Sequence, residues 1–560
     1  MQKDKKYMML LSASSLRRIL VFVLLHFYMI VGLHAQVIGE TSLYITTDRN
    51  LYVTGEQISF RVFDFTQNKG EVNTTFVYCD LIGQDGIFYK GIKAKLRNQN
   101  LSLQMIIPEH LHSGNYLLRA YTRKMQSHYP WIIAMHSIKI VNPKVVELLP
   151  IQREGELKLQ IDTLIRIGGA HLENIAQKYP KRALIACSLH LTDSNIILPS
   201  LSVSVVPKES FSTYILVADD LNSEFAVTDE YVVEGNGLII SGRLNDKSLS
   251  HTKNLSGRRI YFSIRGSKDV FSSITDSVGR FQTKLPNIYG SREIYLTTER
   301  MDGDLIIKIN RDFDSHASIQ FNQEFVLSKD ELELALQLAQ NQSIIQSYMD
   351  SVRLDTLRKH VRPFYDKPDE VIVIRDYIDL ADLSKYFTEL PGNVHLNKRN
   401  GVFEMRIFNP DDMQLFNAPL IMVDYVVVND LESVLRMNPK GINRIEIVRD
   451  YYQKGDASFG GIINFISNKN DFGGYEFPNS SVSITYDFLT KYQKDTTIIP
   501  SSNKPDARNT LFWKTNLKPK GNKVDLSFYT SDTPGIYSIV VQGVNQNGVK
   551  IYYSKDFIVE

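Results

Sequence analysis

Alternation of apolar and polar residues, in short runs, constrains this chain more than any other property. Between residue 42 and about residue 140, SLYITTD, QISFRVFDF, TTFVYCDLIG and GNYLLRAYT carry apolar side chains at alternate positions, with Gly, Asn and Asp punctuating the intervals. Successive side chains of a strand point to opposite faces, so each run has one face to bury. Short turns between the runs favour antiparallel pairing, and the fold predicted is an antiparallel β-sandwich. Residues 143–234 form a second β-rich stretch with ELKLQID and SLSVSVVPK, interrupted by GAHLENIAQKYPKR as a loop or short helix. Alternation returns over 238–299 in LIISGRLND, GRRIYFSIRG and TDSVGRFQTKLP. The convincing long helix is LSKDELELALQLAQNQSIIQSYMDSVRLD. Ser328 and Glu331 have capping-box spacing, and Leu334, Leu338, Ile345, Met349 and Val352 share one stripe, which predicts a packed connector rather than a partner-binding helix.

Composition bounds the class. At about 150 residues per domain, 560 residues imply three to four domains. A chain that is 43% hydrophobic and 22% charged is globular, which excludes a mostly disordered, collagenous or coiled-coil molecule. The formal net charge of +2 gives no global field toward nucleic acid or a membrane surface. Two cysteines, Cys79 and Cys187, exclude a disulfide-dense scaffold and any Cys-rich zinc or iron–sulfur site. Both lie in apolar runs, FVYCDLI and ALIACSLHL, and two readings stay open: a disulfide in an oxidising compartment, or two buried small hydrophobes.

Lys3, Lys5, Lys6, Arg17 and Arg18 precede an apolar run over 19–33, followed by His34, Ala35 and Gln36. This order predicts a secretory signal peptide over 1–35. The rival, a membrane anchor, needs about 20 apolar residues, and this run is shorter and contains His26. An exported chain is the expectation.

Three segments resemble known families. TTDRNLYVTGEQISFRV, through Thr47, Asp48, Arg49, Tyr52, Gly55 and Glu56, resembles the opening of the second macroglobulin-type domain of the alpha-macroglobulin and complement family. Gly55 suits a turn with positive φ and Asp48 suits local backbone amides, both structural roles. Over 238–299, Thr275, Asp276, Gly279 and Phe281 resemble the hairpin of the carboxypeptidase regulatory-like sandwich, a module without peptidase chemistry. There Gly279 turns the chain and Phe281 enters the core.

The most specific stretch, 418–469, resembles the plug domain of TonB-dependent outer-membrane transporters. Pro419, Leu420 and Asp424 match its first strand, Asn438, Ile442, Ile445, Glu446 and Val448 its middle, and Gly455, Gly460, Gly461 and Ile462 its end. Asp430 is placed to cap a helix over 431–435. Tyr425 departs from the family, which has Gly there, and puts a tight positive-φ turn in doubt. The transporters close a barrel of roughly 200 residues or more around the plug. The 90 residues from 471 to 560 are too few for that, so a plug-like fold without a pore of its own is expected.

The fold class expected is mainly β with an α+β domain: tandem sandwiches plus a plug-like α/β domain. The divisions expected are a signal peptide at 1–35, a macroglobulin-like sandwich at 36–142 and a second sandwich at 143–235. A regulatory-like sandwich at 236–312, a helical connector at 313–360, a plug-like domain at 361–470 and closing sandwich strands at 471–560 follow. Together they resemble exported multidomain proteins of Bacteroidota-type bacteria.

Signatures of chemistry are sparse. His-Glu-x-x-His, Gly-x-Ser-x-Gly and the phosphate-cradling Gly-x-x-x-x-Gly-Lys do not occur. Ser501 and Lys504 have Ser-x-x-Lys spacing in a polar linker, His110 and His112 lack a third ligand nearby, and Asp411 and Asp412 fit a turn better than a calcium loop. The macroglobulin thioester Cys-Gly-Glu-Gln is absent. No catalytic residue, metal or cofactor is expected. With 29 Tyr and 28 Phe, an aromatic contact surface is affordable, and Tyr451, Tyr452 and Phe459 are the candidate partner contacts, at least one of them packed in the core. The function expected is a non-enzymatic envelope protein, periplasmic or associated with the outer membrane. Its partner would be a protein of that membrane or the periplasm, such as a β-barrel, with indirect membrane association and no nucleic acid. The alternative is a macroglobulin-like protease-binding or inhibitory protein.

Overall fold

In a computed structural model the described residues are 43–64, 76–97, 99–126, 133–144, 165–167, 170–192, 194–211, 221–224, 234, 237–248, 254–299, 304–313, 318–321, 324–348, 362–377, 380–389, 392–492, 498–501, 503–545 and 550–560. The expected signal peptide lies outside them. The chain is mainly β: tandem sandwiches with an α+β module between two strands of one of them.

In the first sandwich, strands Leu43–Thr47, Gln57–Asp64 and Asn100–Ile106 form a three-stranded sheet. It faces a five-stranded sheet ordered Leu51–Val53, Ala134–Val141, Gly114–Tyr121, Phe76–Gly83, Phe88–Lys95. Alternation understates its burial: Phe76–Gly83 and Gly114–Tyr121 are buried at every position. The outward polar side chains of these strands are covered too. Arg119 grips Asp80 with two bonds of 2.7 and 2.8 Å, and the Tyr121 hydroxyl donates to the same carboxylate at 2.7 Å.

The sandwich over 238–309 packs against the first one and shares a continuous core with it. Its hairpin motif is as the residues require. Asp276 Oδ1 accepts from Val278 N and Arg280 N, Gly279 has φ +83°, and Phe281 is buried. Its four-stranded sheet is completed by Val482–Asp487, which pairs with Ser291–Thr298 only after the chain has passed through the α+β module.

The stretch after residue 165 has the same property on a larger scale. Leu184–Leu191 lies between Ala170–Glu173 and Lys523–Tyr529. Ser202–Pro207 lies between Phe512–Lys514 and Gly535–Val544. Residues 471–560 therefore form no sandwich of their own, because their apolar faces complete two sandwiches begun earlier. GAHLENIAQKYPKR supplies the strands Ala170–Glu173 and Lys178–Tyr179 rather than a loop or helix, since partner strands satisfy its backbone. The order is nested: each later strand closes an earlier, interrupted body. Cys79 and Cys187 are unpaired and buried in two separate cores.

The helix Lys329–Tyr348 begins with the predicted capping box: Glu331 N donates to Ser328 Oγ at 3.0 Å, and Ser328 N donates to Glu331 Oε2 at 2.8 Å. Leu334, Ala335 and Leu338 cover Leu51, Val53 and Val141 of the first sandwich, while Ile345 is half-buried. Met349 and Val352 lie outside the described residues.

Two buried polar clusters join these bodies. At the first, Arg49 Nη2 donates to Glu56 Oε1 (2.7 Å), the Tyr52 hydroxyl to Asp48 Oδ1 (2.7 Å), and the Arg49 guanidinium lies 4.6 Å from the centre of the Tyr52 ring. Asp48, Arg49 and Glu56 are 1%, 3% and 6% exposed. Asp48 also accepts from Thr510 Oγ1 (2.5 Å), and Glu56 from Asn509 Nδ2 (2.5 Å), which in turn reaches the Leu338 carbonyl of the helix (3.0 Å). Arg61 donates to the carbonyls of Leu201 and Thr515, both at 2.6 Å. Burial pushes the Asp48 carboxyl up from its ordinary value, against the pull of Arg49 and its hydrogen bonds.

At the second cluster Lys93, 1% exposed, donates to Asp312 Oδ2 (2.7 Å) and to the Tyr486 hydroxyl on the returning strand (2.8 Å). Arg123 pairs with Asp312 (3.3 Å), and the Tyr78 hydroxyl donates to Glu234 (2.9 Å). Burial lowers the Lys93 pKa and raises that of Glu234.

Removing one partner from a buried ion pair strands the other charge, so Arg49→Leu should cost about 3–5 kcal/mol. Lys178→Ala, which breaks the exposed Lys178–Glu560 pair (2.8 Å), should change stability by no more than about 0.5 kcal/mol. Denaturant unfolding of the two variants checks the contrast.

His136, beside the first cluster, contacts Thr47 Oγ1 (2.8 Å) and Asn50 Oδ1 (2.9 Å). Loss of solvation, with Lys550 adding repulsion, pushes its pKa down to about 3. The unfolded chain binds a proton near pH 6.5 that the folded chain refuses. The associated stability is present above that pH and is lost as pH falls toward 3. The wild-type advantage over His136→Gln in urea midpoint should therefore shrink below about pH 6.5.

Candidate interaction surface

The α+β module spans 362–477. Its main sheet is ordered Glu370–Val373, Ile442–Val448, Ile462–Ser467, Leu420–Val423, Val426–Val427. The Leu420–Val423 and Ile462–Ser467 pair is parallel and the other pairs are antiparallel. Val371, Ile445 and Ile463 show why these runs are strands: β-branched residues suit the pleat of a sheet with a covered face. Leu383–Glu389 and Leu431–Leu435 are its helices, the second capped by Asp430, which accepts from Ser433 N at 3.0 Å.

The doubtful turn at Tyr425 forms. Val423 pairs with Val426, leaving Asp424 and Tyr425 as a two-residue loop with φ of +47° and +67°. Such angles suit a hairpin of the primed type and strain a residue with a Cβ. The surroundings impose them. The Asp424 carboxylate accepts from Ser467 N (2.8 Å), Ser467 Oγ (2.6 Å) and Phe472 N (2.8 Å). The Tyr425 ring stacks on Tyr365 at 6.3 Å, with Lys268 Nζ 4.8 Å from its centre. Gly460 and Gly461 are fixed by close approach: a Cβ would collide with the carbonyl oxygens of Asn417 and Val448 respectively.

The three candidate contact residues separate. Phe459, 6% exposed, packs at 6.0 Å from Tyr261 of the adjoining sandwich. The Tyr452 hydroxyl donates to the Phe364 carbonyl at 2.7 Å, and its ring packs on Phe364 at 5.5 Å. Both belong to the seam that holds the module on its own sandwich, sealed further by Arg259–Asp456 (2.8 Å) and by Val427 N donating to Ser263 Oγ (3.1 Å). Phe459 and Tyr452 are thus corrected from an outward contact set to an internal one, because their hairpin folds back on the chain. Tyr451 faces out, 56% exposed.

Tyr451 lies 6.0 Å from Phe416 on Gln414–Asn417. That strand ends the small sheet Val394–Arg399, Val402–Asn409, Gln414–Asn417 and pairs on one side only among the described residues. Leu415 is 46% exposed, and Met413, at the turn before it, 76%. The run MQLFN carried no signal in the sequence, since four residues are too few for a period to show. An open edge with apolar flanks can accept an extended segment through its backbone groups.

Other candidates stay apart. His110 and His112 sit exposed in one loop. Ser501 and Lys504 hold Arg182 through their carbonyls at 2.7 and 2.9 Å, a structural role. Asp411 N donates to Asn409 Oδ1 (3.0 Å) within a turn. Among the described residues no group of three or more His, Cys, Asp and Glu is placed to hold a metal ion, and no helix is long and apolar enough to cross a membrane.

No protein-family model matches the chain, and no curated protein matches it. Over 93% of its length it is similar to Salmonella alpha-2-macroglobulin reacted with methylamine, at 10% identity over 23% of that chain, with a TM-score of 0.16. Over 93% it is similar to native Escherichia coli alpha-2-macroglobulin, at 7% identity over 40% of that chain, with a TM-score of 0.23. The CARDB domain of the PF1109 protein of Pyrococcus furiosus, in complex with di-metal ions, aligns with 18% of this chain and 93% of its own (14% identity, TM-score 0.15). The chain spans less than half the length of those macroglobulins. The likeness is distant.

Phe459→Ala should destabilise the protein by about 3–5 kcal/mol, as a core aromatic does, and Tyr451→Ser by no more than about 0.5 kcal/mol. Thermal unfolding followed by circular dichroism distinguishes the two.

Proposed function

We propose that this protein is a non-enzymatic, exported component of the cell envelope that binds a protein partner at the outer membrane. The module over 362–477, which resembles a transporter plug, presents the partner-facing edge, and the sandwiches are its rigid frame. The observation that carries this reading is the open edge strand Gln414–Asn417, with Leu415 exposed on it and Met413 and Tyr451 exposed beside it. Edges are blunted by shortness, charge, proline or a covering element, and this four-residue strand, though short, carries neither charge nor proline. Here it carries leucine at its centre. A partner strand added there gains backbone hydrogen bonds and apolar contact together.

Tagged full-length protein, incubated with detergent-solubilised outer membranes, should recover a membrane protein partner. Leu415→Lys should reduce that recovery at least about tenfold, because a charge at the centre of an edge opposes strand addition. Recovery of the protein alone counts against the proposal. Stable capture of an added protease by both forms would favour the macroglobulin-like alternative instead.

A further inference from the structure

The sheet of Arg280–Leu285, Leu238–Asp246 and Leu305–Ile309 sends Phe281, Ile240, Leu244 and Ile307 into the shared core. Its other face meets solvent. On that face Arg243 stands directly opposite Arg280 on one neighbouring strand and Lys308 on the other. Three cations thus form a row across three strands. Lys284 lies on the same face of the Arg280 strand, and all four side chains are exposed. The remaining outward positions are Ile239, Ser241, Asn245, Gln282 and Ile306, so no carboxylate interrupts the face. At the rim Arg280 pairs with Asp276 (3.0 Å), and Arg243 Nε donates to the Val278 carbonyl (3.1 Å). Arg243, Lys284 and Lys308 have no ion-pair partner among the described residues.

Like charges directly opposite on adjacent strands repel and weaken a sheet. The core does not require them, since their side chains point away from it. Asp276 offsets the charge of Arg280, and a layer of negative charge over the face would offset Arg243, Lys284 and Lys308. The face is a broad sheet surface rather than a groove, and Val278, 40% exposed, stands at its edge beside Arg243. An added peptide strand would bond to the backbone at the edges of this sheet and not to the side chains of its face, whereas a plane of cations matches a plane of phosphates.

We propose that this face docks on anionic lipid headgroups, holding the protein against a negatively charged membrane surface through Arg243, Arg280, Lys284 and Lys308. The inference is independent of the partner edge at Gln414–Asn417, which lies on another module. Each basic residue near such a surface contributes about fivefold to partitioning, within the reach of salt screening.

The test is cosedimentation of the full chain with vesicles of phosphatidylcholine alone and of phosphatidylcholine mixed with phosphatidylglycerol, at low and physiological salt. Binding to the mixed vesicles only, weakened by salt, is expected. Combined Arg243→Ser, Lys284→Ser and Lys308→Ser should reduce binding about 100-fold. The same variant should not lower the thermal midpoint, because it removes repulsion, and that readout separates lost docking from lost folding. A control with Lys518, Lys520 and Lys555 replaced by Ser makes the same change in net charge at other exposed positions and should bind as the wild type does. Equal losses in the two variants, binding to neutral vesicles, or binding to polyglutamate but not to vesicles would each overturn the proposal.

Discussion

The structure depends on charges that water does not reach. Asp48, Arg49 and Glu56 occupy a turn of the first sandwich, yet Asp48 and Glu56 also bond to Thr510 and Asn509, more than 450 residues later in the chain. Ion pairs taken out of water gain little net stability over an apolar substitute and lose heavily if either partner is removed. Their effect is on arrangement. With Asn509 also bonded to the Leu338 carbonyl, these bonds fix the first sandwich, the long helix and the segment around Asn509 and Thr510 in one mutual position. The Lys93–Asp312–Tyr486 cluster applies the same constraint between the first sandwich and the one that carries the module.

Local features were legible from residues alone, and closure was not. The capping box at Ser328 and Glu331, the Asp430 cap and the Gly279 turn are set within a few positions, and the structure has each of them. The sandwich class followed from alternation for the same reason. The pairing of Val482–Asp487 with Ser291–Thr298 leaves no local trace, because a strand's period states that a face is buried and not against what. Residues 471–560 therefore read as a unit when they are two sets of returning strands. Alternation also hid the burial of Asp80 and Arg119: polar positions imply solvent unless their partner is known.

The candidate surface shows the same division at the scale of single residues. Tyr451 and Tyr452 are adjacent, so their side chains leave opposite sides of the chain, and only the fold decides which side is covered. Phe459 pairs with Tyr452 across the hairpin and shares its inward side. The Asp424–Tyr425 turn shows tertiary contacts overriding a local preference for glycine. Three hydrogen bonds to Asp424 and the stack on Tyr365 hold φ values that the sequence alone argues against.

Nested closure also has a timetable. Ser188 lies opposite Asp525, 337 residues later in the chain. At ribosomal speeds of 5–20 residues per second, the strand containing Ser188 is made roughly 15–70 s before its partner exists. During that interval Leu184–Leu191 is an apolar strand with an unfilled edge, while the module and its own sandwich can assemble between the two halves. A polypeptide that stops short of Lys523–Tyr529 leaves Leu184–Leu191 paired on one side only.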